Sequence, residues 1–138
     1  MKLKLVAHTP DVETLIATAM LTTTSGAKPS TIFSRLLKKG EKVGEIVGRV
    51  EAQHGSILEH NRLDWIVEAT EREVLDVLLD RRFYSVSELG TGRWLMSANV
   101  RTVVETISGS EGEFTAALIA SLTEVVPNLS GCHRRGRL

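Results

Sequence analysis

The segment around Trp65 constrains the fold most, because the hydrophobic period changes there from two residues to about 3.6. Between Arg62 and Ala69 every second residue is apolar, which is the pattern of a half-buried antiparallel strand. Thr70 and Glu73 then form a capping box, the start signal of a helix. The apolar face predicted for this helix consists of Val74, Leu75, Val77 and Leu78. A strand followed directly by a helix is therefore predicted here.

The rest of the chain adds one further strand and several helices. Residues 2–7 alternate polar and apolar side chains, which suits an opening strand. Thr9 as N-cap and Pro10 at the first helical position predict a helix that ends near Ser25 and Gly26. Further helices are predicted over residues 30–39, closed by Gly40, over 43–50, over 100–107, and from a Ser110 and Glu113 capping box to Pro127. The fold class predicted is α+β, a small antiparallel sheet packed with helices.

Length and composition limit the classes of protein. A chain of 138 residues, 42% hydrophobic, suits one domain, which we place at residues 1–130, with a basic tail at 131–138. The 17 basic and 17 acidic side chains balance, and three arginines in the tail offer few phosphate contacts, so we expect no nucleic-acid partner. One cysteine, Cys132, excludes an internal disulfide. Without a long apolar run or a good signal peptide, we expect a cytoplasmic protein with no membrane partner.

Two histidines and a glutamate lie within one short turn. His54 and His60 are six residues apart, which is not the i, i+4 spacing that aligns two ligands on a helix. No third ligand is evident beside Glu59, so we expect no metal. The alternative is that Glu59 and His60 bond to the backbone or to Arg72 and stabilise the turn.

The order of several short motifs resembles the flavin-dependent thymidylate synthase family, ThyX, over nearly the whole chain. The His-x-Ser/Thr-x-x-Glu-His turn of that family corresponds to His54–His60, and its following arginine to Arg72. The central motif corresponds to residues 80–82 and then 85–94, which include Ser85, Ser87, Glu88 and Arg93. The Asn-Ala-Arg helix start corresponds to Asn99–Arg101.

The chain also departs from the family pattern. Members of the family are longer, with an insert where this chain has residues 94–99. Asp80 stands in place of the first motif arginine and Arg81 in place of the histidine. Gly90 or Thr91 replaces the serine associated with catalysis, and Ser108–Ser110 replaces the arginine that reads uracil. The positions that correspond to flavin binding in the family match its pattern better than the catalytic positions do.

The resemblance implies a ThyX-like fold, FAD as cofactor and a homotetramer with sites between subunits. The family reaction converts dUMP to dTMP with reduced FAD and a folate donor. Catalytic roles are implied for Thr91, near the uracil, and Arg93, on the nucleotide phosphate. Cofactor binding is implied for His54, Ser56, Arg81, Arg82, Glu88, Asn99 and Arg101. We expect a ThyX-like flavoprotein that binds FAD or a related nucleotide with weak or no synthase activity, or alternatively a non-catalytic oligomeric paralogue.

Each of these residues also has a structural interpretation. A pyrophosphate needs guanidinium groups or helix N-termini, and the serine, arginines and asparagine supply such donors. Arg81 and Arg82, however, also suit the negative end of a helix dipole. Asn99 and Arg101 suit a solvent-facing helix surface, and Glu88 can pair with Arg82 or Arg93. Trp65 and Trp94 suit a core or an interface as well as a flavin stack.

Overall fold

Four antiparallel strands form one sheet in the computed structural model, which describes residues 1–50, 52–123 and 125–129, without the side chains of 52–54. The strands are β1 (Lys2–His8), β2 (Arg62–Glu68), β3 (Ser85–Gly90) and β4 (Arg93–Asn99). Their order in the sheet is β1-β2-β4-β3, so β1 and β3 are the edges. Each neighbouring pair is antiparallel, with a register shift in β1 after Leu5 and in β3 after Glu88.

Within the described residues, six α-helices and one 3₁₀ helix accompany the sheet. They are α1 (Val12–Thr22), α2 (Pro29–Leu36), α3 (Gly40–Val47), a 3₁₀ segment (Ala52–His60), α4 (Glu71–Asp80), α5 (Val100–Gly109) and α6 (Glu113–Leu122). This architecture confirms the predicted α+β class. The predicted tail at 131–138 lies outside the described residues. No helix in the described ranges has both the length and the apolar character needed to cross a bilayer.

The two tryptophans lie where the sheet meets the helices. Trp65 in β2 has no exposed surface, and its indole N–H donates to Ser121 Oγ of α6 at 2.9 Å. Trp94 in β4 donates to the backbone oxygen of Ala69 at 3.0 Å. Both indoles therefore bury an apolar ring and satisfy its one polar atom inside the protein. Trp65 belongs to the buried core and the half-buried Trp94 packs against it, so the interpretation of both residues as core or interface is supported.

Neither β3 nor β4 was predicted, although β4 lies between β2 and β3 in the sheet. Trp94, Met96 and Ala98 face the helices, opposite Val67, Trp65 and Leu63. Leu95 interrupts the alternation, so that three apolar residues follow one another and the two-residue period is lost. The strand is held by its partners on both sides, which a local pattern does not reveal.

Two predicted helix starts are wrong, for the same reason. Thr9 does not cap α1, because its N–H and Oγ1 bond to the backbone of Arg62 at 3.0 and 2.9 Å and extend the pairing with β2. Helix α1 begins after Asp11, and the backbone of Asp11 is in the left-handed region with φ 53°. Ser110 does not cap α6 but follows α5 and bonds to Thr115. In both cases the hydroxyl that the local pattern assigned to a cap bonds elsewhere. Thr9 bonds to the distant Arg62, and Ser110 bonds to the nearby Thr106 and Thr115.

Gly40 also differs from its predicted role. It does not close α2, which ends at Leu36, but is the first residue of α3. By contrast, the capping box of α4 is confirmed, with the Thr70 hydroxyl accepting from the Glu73 N–H at 3.2 Å and the Glu73 carboxylate accepting from the Thr70 N–H at 3.1 Å. These bonds hold the pKa of Glu73 below its usual value, with the Thr70 backbone as the largest cause.

Helix α4 buries only part of its predicted apolar face. Val74 and Val77 point into the core, whereas Leu75 and Leu78 are 47% and 41% exposed. Leu79, on the same outer side, is 75% exposed. The prediction that Leu75 and Leu78 face the core is therefore wrong, because only the side of the helix that carries Val74 and Val77 is turned towards the sheet. The larger apolar side chains of this helix face solvent.

Candidate functional site

The 3₁₀ segment and the start of α5 meet at one end of the sheet. Asn99 is the N-cap of α5, and its Oδ1 accepts from the Thr102 N–H at 2.8 Å. The N–H of Val100 donates to the backbone oxygen of Asn61 at 2.9 Å. These bonds fix the helix start against the turn that contains His54–His60. Two of the motifs that carry the family resemblance therefore lie side by side, although some 40 residues separate them.

Arg101 is the charged group at this junction. Its Nη1 pairs with Glu59 of the 3₁₀ segment, and its Nε donates to Glu105 one turn further along α5 at 3.0 Å. Glu59, and then Glu105, raise the pKa of the Arg101 guanidinium. The expected contact between Glu59 and Arg72 is wrong, since Arg72 pairs with Asp76 at 3.3 Å within α4. Arg101 is thus positioned by two carboxylates and offers no net positive charge alone.

Gly55 is necessary for this arrangement in a way that the sequence did not reveal. A Cβ at this position would lie 2.8 Å from Arg101 Nε and 2.9 Å from Cζ. The guanidinium therefore lies directly over the glycine backbone. Ser56, the next residue, is exposed beside it. Asn99, Arg101 and Ser56 are the predicted cofactor-binding residues that the fold brings together, while the side chain of His54 lies outside the described part.

Asn61 is a second feature that sequence reasoning missed. Its side chain has no exposed surface, and among the described residues neither Nδ2 nor Oδ1 has a hydrogen-bond partner. A buried amide without partners costs about 1–3 kcal/mol. The residue lies at the end of the 3₁₀ segment, next to the start of α5. The junction therefore carries an unsatisfied donor and acceptor in its interior.

Arg81 and Arg82 lie near the opposite end of α5. Arg81 is half-buried, and its Nη1 approaches Gly109 so closely that a Cβ there would be 3.4 Å away. Eight residues of helix separate Arg101 from Gly109, which corresponds to about 12 Å. Arg82 is exposed and forms no ion pair with the described residues. Within one chain these arginines do not join the group around Arg101.

The cleft beside Arg81 is acidic. It has a volume of about 270 Å³ and lies between α4 and the start of α6. Its carboxylates are those of Glu73, Asp76, Asp80, Glu111 and Glu113. The α-ammonium of Met1 pairs with two of them, Glu113 at 3.2 Å and Glu73 at 3.3 Å. Because negative charge remains in excess, a phosphate is disfavoured inside this cleft.

The predicted catalytic residues lie at the other end of the sheet. Thr91 is in the turn that joins β3 and β4, and Arg93 is the first residue of β4. Asn99 ends the same strand, six residues away, which corresponds to about 20 Å. Glu88, Thr91 and Arg93 are all exposed, and neither of the predicted pairings of Glu88 with Arg82 or Arg93 is present in the described chain. One chain therefore does not gather the predicted catalytic and cofactor-binding residues into one cavity.

The prediction that His54, Glu59 and His60 bind no metal can be examined only for the described side chains. Among the described residues, no three His, Cys, Asp or Glu side chains converge as metal ligands do. The side chain of His54 is not part of that set. Glu59 is already engaged with Arg101.

A basic surface on α2 was not predicted. Ser30, Thr31, Ser34, Arg35, Lys38 and Lys39 line one outward-facing groove. Lys28 and Lys42 flank it in the sequence, and none of these five cations forms an ion pair within the described residues. The balanced charge of the whole chain concealed this stripe. We call these eight residues the basic stripe.

Apart from the basic stripe, the described surfaces offer binding groups in three separate places. The α5 start supplies Asn99 and Arg101, the end of α4 supplies two arginines, and the β3–β4 turn supplies Arg93. Among the described residues, these places supply hydrogen-bond donors and guanidinium groups and no nucleophile paired with a general base. Comparisons of the chain with profiles of known protein families, with curated proteins and with solved structures found no match.

Proposed function

We propose that the chain is a ThyX-like flavoprotein, related to FAD-dependent thymidylate synthase, that binds FAD or a related nucleotide. In this proposal the protein is a homotetramer in the cytoplasm, and its sites are composed of residues from neighbouring subunits. Synthase activity, the conversion of dUMP to dTMP, is weak or absent. Bound FAD would supply the redox chemistry, and the chain's own residues would bind and orient the ligands.

The observation that carries the proposal is the junction of the His54–His60 turn with the Asn99–Arg101 helix start. The resemblance requires these two motifs to belong to one site, and the contact of Glu59 and Gly55 with Arg101 supports that requirement. A helix N-terminus with a guanidinium beside it suits a pyrophosphate. The orphaned amide of Asn61 supports a polar ligand or a water at the same place.

The same geometry supports weak binding. Glu59 and Glu105 together outweigh the charge of Arg101, so a pyrophosphate would have to displace at least one carboxylate. Asp80 adds negative charge beside Arg81, and neither arginine at the end of α4 pairs with it in the described structure. A non-catalytic oligomeric paralogue, which keeps the frame and binds a nucleotide for regulation, is therefore the alternative.

Reconstitution with FAD tests the proposal. The purified protein is mixed with FAD, and binding is followed by flavin absorbance, by quenching of flavin fluorescence and by thermal denaturation. At a free FAD concentration of 100 Kd, binding stabilises the fold by about 2.7 kcal/mol, or on the order of 10 °C in Tm. No flavin retention and no thermal shift would contradict the proposal.

A matched pair of variants makes the test specific. Arg82→Ala removes an exposed arginine of the implied site, whereas Arg49→Ala removes an exposed arginine that follows α3. Both change the net charge equally. We expect Arg82→Ala to weaken FAD binding and Arg49→Ala to leave it unchanged; equal effects would indicate nonspecific attraction. The protein can also be expressed in a thymidine auxotroph. Growth of that strain without thymidine would contradict the proposal that synthase activity is weak or absent.

The basic stripe favours a second candidate function, the binding of a polyanion. Hydroxyl, lysine and arginine side chains along one helix are groups that contact a phosphate backbone without reading its bases. Duplex oligonucleotide binding should then weaken steeply with salt and be lost in Lys38→Glu/Lys39→Glu. The control Lys2→Glu/Lys4→Glu changes exposed lysines of β1 and should bind like the wild type.

A further inference from the structure

Helix α4 presents an apolar surface to solvent that nothing in the described chain covers. Leu75, Leu78 and Leu79 occupy neighbouring positions on its outer side, and Phe83 follows shortly after the helix end. The exposed fractions of these four side chains are 47%, 41%, 75% and 75%. We call them the α4 apolar stripe. Single exposed leucines are normal on a soluble protein, but four in nine residues are not.

The backbone at Phe83 is an independent sign of function. Phe83 has φ 71°, a left-handed conformation that bulky side chains rarely adopt. The residue that follows, Tyr84, is buried and bonded to Thr106 of α5 at 2.8 Å. Anchoring of Tyr84 thus directs the chain so that the Phe83 ring points outward. Strain that holds an apolar ring in water is understandable when the ring is buried in an assembly.

The size of the α4 apolar stripe and the charges around it indicate which partner would cover it. The four side chains expose roughly 400 Å², in the range where apolar patches on soluble proteins usually have a function. A stable interface takes about 800 Å² from each partner, so the stripe would form its apolar centre. The surrounding charges are Arg72, Asp76, Asp80 and Arg82, two of each sign. A rim without net charge lets two identical surfaces meet without repulsion, whereas a charged partner would be matched by a rim of one sign.

We propose that the α4 apolar stripe is the surface through which two copies of this chain associate. The contact is isologous, with the same residues contributed by both copies. Arg81 and Arg82 directly follow α4, so association brings two pairs of arginines towards each other. These four guanidiniums are balanced in part by the two Asp80 carboxylates, and they are donors of the kind that a pyrophosphate needs. The self-association rests on the stripe; its role in ligand binding rests on the proposed function.

Sedimentation velocity on the full chain tests the proposal. Leu79→Asp places a charge at the centre of the stripe, and Leu79 is exposed enough for the fold to tolerate it. Leu37→Asp is the matched control, because Leu37 is 49% exposed and lies at the end of α2. Circular dichroism verifies that both variants fold. We expect the wild type and Leu37→Asp to be associated and Leu79→Asp to be monomeric.

Several outcomes would overturn the proposal. These are a monomeric wild type up to high micromolar concentration, a Leu79→Asp variant as associated as the wild type, or equal loss of association in both variants. FAD titration of the same samples separates the interface from the proposed function. If Leu79→Asp is monomeric but no sample binds FAD, the interface stands and the proposed function fails. If monomeric Leu79→Asp binds FAD like the wild type, the role of association in the site is overturned.

Discussion

Tyr84 should make the stability of this protein fall at alkaline pH. It is the only tyrosine in the chain, and burial raises the pKa of its phenol from 10.0 to about 12. The hydrogen bond between Tyr84 and Thr106 and the charge of Arg81 lower that pKa only in part. The folded state therefore keeps its phenolic proton to a higher pH than the unfolded state does.

The sign and size of the effect follow from this difference. Between pH 10 and about 12 the folded state binds more protons, so the free energy of unfolding decreases as the pH rises. The full stability is present below pH 10, and two pKa units correspond to a loss of about 2.7 kcal/mol, of which about 1.4 kcal/mol is lost by pH 11. Tyr84→Phe removes the titrating group and should remove this part of the pH dependence.

Two assays test this prediction. Near-ultraviolet absorbance of the folded wild type reports ionisation of Tyr84 directly, without interference from another tyrosine. Urea denaturation from neutral pH to about pH 11 should show the wild type losing its advantage over Tyr84→Phe. At neutral pH the variant should be less stable by about 1 kcal/mol, because Thr106 keeps its bond to Thr102. A Tyr84 midpoint near 10 in the folded protein, or parallel pH curves for both proteins, would refute the reasoning.

Three further substitutions should each give a distinct result. Thr70→Ala removes the side-chain cap of α4 and should lower the urea-derived free energy of unfolding by about 1 kcal/mol; no change would mean that the cap is not formed in solution. Gly55→Ala should displace the Arg101 guanidinium and abolish FAD binding, while stability changes by no more than about 1 kcal/mol, since the ion pairs there are exposed; unchanged FAD affinity would exclude Arg101 from the site. In monomeric Leu79→Asp, Phe83→Asn should raise stability by about 1 kcal/mol, because asparagine tolerates the left-handed backbone; a loss would show that the ring is needed within one chain.

The sequence predicted those elements whose signals are local. Strand β2 was predicted from the alternation of apolar residues and helix α4 from its capping box. Both elements are present in the structure. Thr9 carries an equally good local signal but bonds across the fold to Arg62, and Ser110 bonds to Thr106 and Thr115, which are close to it in the chain, instead of capping α6. A one-dimensional pattern cannot distinguish a hydroxyl that caps a helix from one that pairs with a distant strand.

The candidate site was predictable in part. Resemblance placed Ser56, Asn99 and Arg101 in one group, and they lie at one end of the sheet. The close approach of Arg101 to Gly55 and the orphaned amide of Asn61 depend on packing between distant segments, which no spacing in the sequence encodes. The exposed side of α4 was misassigned because five apolar residues in one helix fit a core face as well as two separate faces.

The central claim is that residues from more than one copy of the chain bind FAD together. Arg82→Ala and Arg101→Ala each remove a guanidinium of the proposed composite site, so FAD titration should find that both pure variants bind FAD more weakly than the wild type. If Arg82 and Arg101 of one site come from different copies, mixing the two variants should restore binding in about a quarter of the sites. Recovery of that size is the result that the account predicts. A wild type that does not bind FAD, or a mixture that recovers nothing, would contradict it.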